Sequence, residues 1–142
     1  MSYDVCNDIA TYLEEQDLGQ VGVDIFTFEK YRKMGELDGI LIEAPTPGEI
    51  PDVLIQTETV PIDITISKGY GEQGREYTAN LAHRVFMALD LVNEVTINGT
   101  LYLCITAETN PYELERDGRY FRMIRFSVTR YYGDIQTNLL DD

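Results

Sequence analysis

"EVTINGTLYLCIT", Glu94 to Thr106, sets Asn98-Gly99 between two runs rich in apolar and β-branched residues. Both residues of that pair tolerate positive φ, which a two-residue type I′ turn requires at its two central positions, so the stretch predicts a β-hairpin. What precedes the hairpin is a long helical pattern. Over Gln73 to Val92, the residues Tyr77, Leu81, Val85, Leu89 and Val92 recur at steps of three or four, and Ala82, Phe86 and Ala88 widen the stripe. A packing helix that leads into an antiparallel hairpin indicates an α+β domain.

Toward the N-terminus, "TVPIDITISKG" alternates Ile62, Ile64 and Ile66 against Asp63, Thr65 and Ser67, the period of a half-buried strand. Two further strands are expected over Val21 to Phe28 and over "DGILIEA", Asp38 to Ala44, paired with one another. "PTPGEIPD", Pro45 to Asp52, holds three of the five prolines and is excluded from any central strand, so it reads as an extended or turning arm. A first helix starts at Ser2, with Val5, Ile9, Tyr12 and Leu13 on one face and Gly19 as its stop.

Toward the C-terminus, "AETNPYELERDG", Ala107 to Gly118, reads as a loop carrying the turn residues Pro111, Asp117 and Gly118, followed by a last strand over Tyr120 to Tyr132. The expectation is one domain, residues 1–133, with two helices against a mostly antiparallel or mixed sheet. An acidic tail, 134–142, follows it with Leu139 and Leu140 as anchors.

A length of 142 residues and a hydrophobic fraction of 44% suit one globular domain. The formal net charge of -14 argues against general binding to nucleic acid or to an anionic membrane, since both need a cationic surface. No apolar run approaches a membrane span and the start lacks a signal-peptide pattern, so the chain reads as soluble and intracellular. Cys6, on a helix, and Cys104, in an apolar strand, form no metal-binding pattern and read as small hydrophobes.

"GYGEQG", Gly69 to Gly74, spells G-x-G-x-x-G between a strand and a helix. A dinucleotide site also needs a parallel strand after the helix with an acidic end, but here the helix enters the Asn-Gly hairpin. The glycines are therefore assigned to the turn into the helix. His83, the only histidine, has Ala79, Asn80, Phe86 and Met87 in reach on its helix and its nearest same-face carboxylate, Asp90, two turns away, and Asn98-Gly99-Thr100 matches the glycosylation pattern only incidentally to the hairpin. No motif recommends an enzyme, a cofactor or a metal.

The last strand is unusual in its charge. "ERDGRYFRMIRFSVTRYY", Glu115 to Tyr132, holds Arg116, Arg119, Arg122, Arg125 and Arg130, five of eleven cations in an acidic chain. Period two puts Ile124, Phe126 and Val128 on the core face, with Arg122 and Arg130 at its ends, and Arg119, Phe121, Met123, Arg125, Ser127, Thr129 and Tyr131 on the other. Two readings compete: the arginines pair with carboxylates of their own sheet, or they meet those of another subunit.

Taken together, "DIFTFEK", "ILIEAPTPGEIPD", "INGTLYLCITAETNPYELERDGRYFR" and "RFSVTRYY" resemble the small tail-terminator or minor capsid proteins of long-tailed bacteriophages. Asn98-Gly99 with Tyr102, Ala107 to Pro111, and the Arg116-Asp117-Gly118-Arg119 turn match best. The resemblance implies a non-enzymatic virion protein, a six-membered ring that caps the tail tube, stops its polymerisation and docks to the head connector, with DNA passing unbound through an acidic lumen. Alternatives are a head-side neck or stopper protein and, from another class, a small nucleotide-binding domain or enzyme. Subunit and partner contacts are then expected from Arg116, Arg119, Arg122, Arg125 and Tyr131, and from Pro47, Glu49 and Tyr70 in the loops.

Overall fold

Two strands of thirteen residues, β3 (Thr57–Gly69) and β7 (Arg119–Tyr131), pair antiparallel over their whole length and form the spine of the sheet. The computed structural model describes residues 2–27, 38–45, 56–71, 73–116 and 118–131. The other elements are α1 (Ser2–Glu15), β1 (Ile25–Thr27), β2 (Gly39–Glu43), α2 (Gly74–Leu89), β4 (Val92–Ile97), β5 (Thr100–Ala107) and β6 (Tyr112–Arg116). The seven strands make one mixed sheet in the order β1-β2-β3-β7-β5-β4, with β6 also on β7. Two helices and this sheet constitute the expected α+β domain.

The alternation of β3 and β7 decides which way the sheet faces. Val60, Ile62 and Ile64 stand opposite Val128, Phe126 and Ile124 and are fully or almost fully buried. They meet Val5, Ile9 and Leu13 of α1 and Leu81, Ala82, Val85 and Leu89 of α2 in one core, so both helices cover the same face. Burying such side chains contributes roughly 1.5–3 kcal/mol each, which makes this face the main source of stability. Pro61 is tolerated inside β3 because β2 pairs only with residues 63–67, so that no described strand flanks β3 on that side at the proline.

The hairpin at Asn98-Gly99 forms, with φ of 50° and 82° at the two residues. β4 runs antiparallel to β5, β5 to β7 and β7 to β3, so β4 is antiparallel to β3 and no βαβ unit surrounds α2. Gly74 is needed for packing: a Cβ there would lie 2.6 Å from the Gly69 carbonyl oxygen, because the start of α2 sits directly on the end of β3.

Three boundaries differ from expectation. The first strand begins at Ile25 rather than Val21, since residues 20–24 turn back on themselves, with the Gln20 carbonyl accepting from the N–H groups of Val23, Asp24 and Ile25, and Phe28 lies outside the described residues. It does pair with β2, in parallel. Val92 leaves the helix for β4, after Asp90 turns to an extended conformation. Tyr112–Arg116, expected within a loop, is a strand: β5 kinks at residues 108–111 and resumes as β6 along the same edge of β7. The Thr109 hydroxyl accepts the Arg125 N–H and the Glu108 N–H donates to the Arg125 carbonyl, so the kink itself stays bonded to β7. Most of the proline arm, the tail 134–142 and Asp117 lie outside the described residues. No helix among the described residues is long and apolar enough to cross a membrane.

Candidate functional site

The face of the sheet opposite the helices is read in cross-strand rows. At the β6 end, Leu114 stands opposite Phe121, and Tyr112 opposite Met123, which continues through Thr65 and Leu41 to Phe26. Phe26 and Leu41 are buried with Phe121 packed on them, whereas Tyr112 and Leu114 are 46% and 41% exposed. The next row is charged, Glu43, Asp63 and Arg125 in register across β2, β3 and β7. Beyond it the rows carry Pro61 and Ser127, Thr59 and Thr129, then Thr57 and Tyr131. One face thus grades from aromatic to ionic to hydroxyl, with its exposed apolar side chains beside β6. Among the described residues no strand pairs with the outer side of β6.

The charged row is held by a forked pair. Arg125 donates from Nε to Asp63 Oδ1 at 2.6 Å and from Nη2 to Oδ2 at 2.9 Å. Glu43, the third member, has its carboxyl pushed above the usual range by burial and by the neighbouring Asp63 charge. A carboxyl whose folded pKa is raised costs stability when ionised. The cost is absent below the unfolded value of about 4.3 and grows as pH rises through the folded value. Glu43→Gln should therefore raise the melting temperature at pH 7 and have no effect near pH 3. Because Glu43 is partly solvated, screening limits the expected rise to roughly 1–2 °C. A drop at pH 7 in a thermal melt would contradict the assignment.

The arginines are strung along β7, and four of the five have carboxylate partners in their own chain. Arg119 bonds Asp38 and the Ser67 hydroxyl. Burial alone would raise Asp38, but Arg119, the Gly69 N–H and Lys68 outweigh it and hold this carboxyl below its usual value. Arg125 has Asp63, and Arg130 pairs with Glu58, its cross-strand neighbour, at 2.7 Å. Arg122 faces the helix side and lies 3.5 Å from Glu113, whose carboxylate already takes both forks of Arg75. Arg116 is exposed at the end of β6 and has no ion pair among the described residues.

Tyr131 donates its hydroxyl hydrogen to Gln56 Oε1 at 2.8 Å, at the far end of the strand. Tyr70 follows β3, is 52% exposed, stacks on Tyr120 with ring centroids 4.8 Å apart, and donates to Glu115. Pro47 and Glu49 lie outside the described residues. The predicted residues therefore do not converge on one patch. They span about 40 Å of β7 and both faces of the sheet.

Sequence reading missed a polar cluster at the other end of the core. Asp8 on α1, almost completely buried, accepts from the Tyr102 hydroxyl and from Asn98 Nδ2 at 2.9 Å, and Asn98 also reaches the Thr11 hydroxyl. Burial, and then the bond to Asp8 and its charge, push the Tyr102 phenol well above its usual pKa, while Arg130 acts in the opposite direction. The turn residue Asn98 thus ties α1 to the hairpin. The available signal was Asp8 beside Val5 and Ile9 on an otherwise apolar helix face.

His83 is exposed on α2. Cys6 and Cys104 are free thiols, and burial, followed by the Glu43 charge, pushes Cys6 up to about 12. No group of three His, Cys, Asp or Glu side chains among the described residues could hold a metal ion. No protein-family model matches this chain, and no curated protein is similar to it in sequence.

Proposed function

We propose that this chain is a virion assembly protein of a long-tailed bacteriophage, a tail terminator that forms a ring on the end of the tail tube, stops its growth and presents the surface to which the head connector docks. Six subunits is the number the family resemblance implies. The observation that carries the reading is the helix-free face, where Tyr112 and Leu114 stand exposed beside the outer edge of β6, on which no strand pairs among the described residues. Exposed aromatic and aliphatic side chains at an unpaired strand edge are what a neighbouring protein covers, by strand addition or by side-chain packing.

Internal pairing changes how such a ring would hold together. Lys68, Arg75, Arg119, Arg122, Arg125 and Arg130 are each matched to a carboxylate of their own chain. An inter-subunit role for Arg119 or Arg125 would have to exchange those partners, whereas Arg122 shares Glu113 with Arg75. The attraction between copies is therefore assigned to apolar contact, working against the repulsion of chains with a net charge of -14. The same negative charge keeps passing DNA from adhering to the lumen.

Light scattering over a salt series, alone and beside tail-tube protein, tests this. Association should strengthen as salt rises from about 20 to 300 mM, because screening relieves the repulsion. Contacts made chiefly by arginine and carboxylate would weaken instead. Leu114→Asp, at an exposed position, should reduce association at least tenfold and lengthen tails in assembly reactions. A chain that stays monomeric on the tube, or a Leu114→Asp variant with normal tail length and head joining, would defeat the proposal. Co-purification with DNA-filled heads rather than tails would move the protein to the neck.

A further inference from the structure

A groove of about 340 Å³ lies between α2 and the kink that joins β5 to β6. Its walls include Ala79, Phe86, Met87 and Pro111, with His83 and Arg122 among the polar groups. Two features make it unlike ordinary surface. Met87 is 65% exposed, a large apolar side chain in water on the side of a packing helix. The Arg122 guanidinium is also under-compensated: its Nε is buried without a hydrogen-bond partner among the described residues, and its nearest carboxylate, Glu113 at 3.5 Å, is engaged by Arg75. A fitting occupant brings adjacent apolar side chains, to cover Met87 and Phe86, followed closely by an acceptor or negative charge for Arg122.

The chain contains such a segment. After Tyr131, the last described residue of β7, come eleven residues that include Leu139-Leu140 followed at once by Asp141-Asp142. We propose that Leu139-Leu140 of one copy docks in this groove of the neighbouring copy, with Asp141 and Asp142 facing Arg122; the inference rests on the ring-forming reading above. The course of β7 favours the neighbour. From Arg122 to Tyr131 the strand runs about 30 Å away from the groove. Ten residues from Tyr131 to Asp141 span at most about 36 Å when fully extended, so a segment returning to its own Arg122 would have to reverse at once and run almost straight back along its own strand. A segment from the next copy has no such constraint. Exchange of this kind is a heterologous contact, in which each copy gives one segment and receives another, and it closes naturally in a ring.

The test uses the full chain. A tagged copy carrying Met87→Cys is mixed with an untagged copy carrying Leu140→Cys and oxidised, with each variant plus wild type as the background for Cys6 and Cys104. A mixed disulfide dimer is expected, and a chain carrying both substitutions should give a ladder of linked copies. Leu140→Asp should weaken association at least tenfold with an unchanged melting temperature. If scattering shows association but no mixed dimer forms, or if the double variant closes only within one chain, the docking inference falls and the ring stands. If no association occurs, even beside tail-tube protein, both fall.

Discussion

Replacing Asp8 with alanine is expected to destabilise the protein by about 2–4 kcal/mol. The carboxylate is 8% exposed and accepts from two side chains of the β4–β5 hairpin region, Tyr102 and Asn98. Hydrogen bonds to a charged group contribute roughly 1.5–3 kcal/mol, and removing the acceptor leaves the fully buried Tyr102 hydroxyl without it. Tyr102→Phe should cost less, because it removes a donor from an acceptor that keeps Asn98. The two changes should be coupled by about 1–3 kcal/mol in a double-mutant cycle followed by urea unfolding. Additive losses, or a loss under 1 kcal/mol for Asp8→Ala, would mean that the cluster does not hold α1 to the sheet.

The second large effect belongs to Gly39. A Cβ there would stand 2.3 Å from the Asp24 carbonyl oxygen and 2.9 Å from its carbon, and the residue has φ of +133°. The approach is close because the Ile40 N–H donates to that same carbonyl at 2.8 Å, locking β2 to the turn before β1. Gly39→Ala therefore forces a backbone displacement and a disfavoured φ together, expected to cost about 3–5 kcal/mol. Gly99→Ala, with φ of +82° but nothing within 4 Å, should cost distinctly less. Equal losses at the two positions would show that φ alone, without the steric approach, sets the penalty.

Much of this arrangement was legible in local pattern. The stripe on α2 as far as Leu89, the Asn98-Gly99 turn and the alternation of Ile62, Ile64 and Ile66 each appear in the structure as read, because side-chain period follows directly from backbone geometry. β6 was not read, although "YELER" alternates apolar and charged residues and runs into Asp117-Gly118, itself a two-residue turn signal. Five residues with two glutamates and a preceding proline carry weak strand propensity, and the strand exists because β7 offers a free edge for it.

The charge question divides in the same way. From sequence alone it followed that β7 would present Ile124, Phe126 and Val128 to a core and arginines elsewhere, since alternation is a local property. Which carboxylate each arginine meets was decided only in three dimensions. Asp63 reaches Arg125 from 62 positions away, and Glu58 reaches Arg130 from 72, through a register set by thirteen consecutive residue pairs between β3 and β7. Slipping that register by one residue would turn the buried isoleucines outward, so core burial fixes the pairing and the ion pairs follow from it. No local pattern around an arginine carries that information, because its partner is chosen by the packing of other side chains on the opposite face of the sheet.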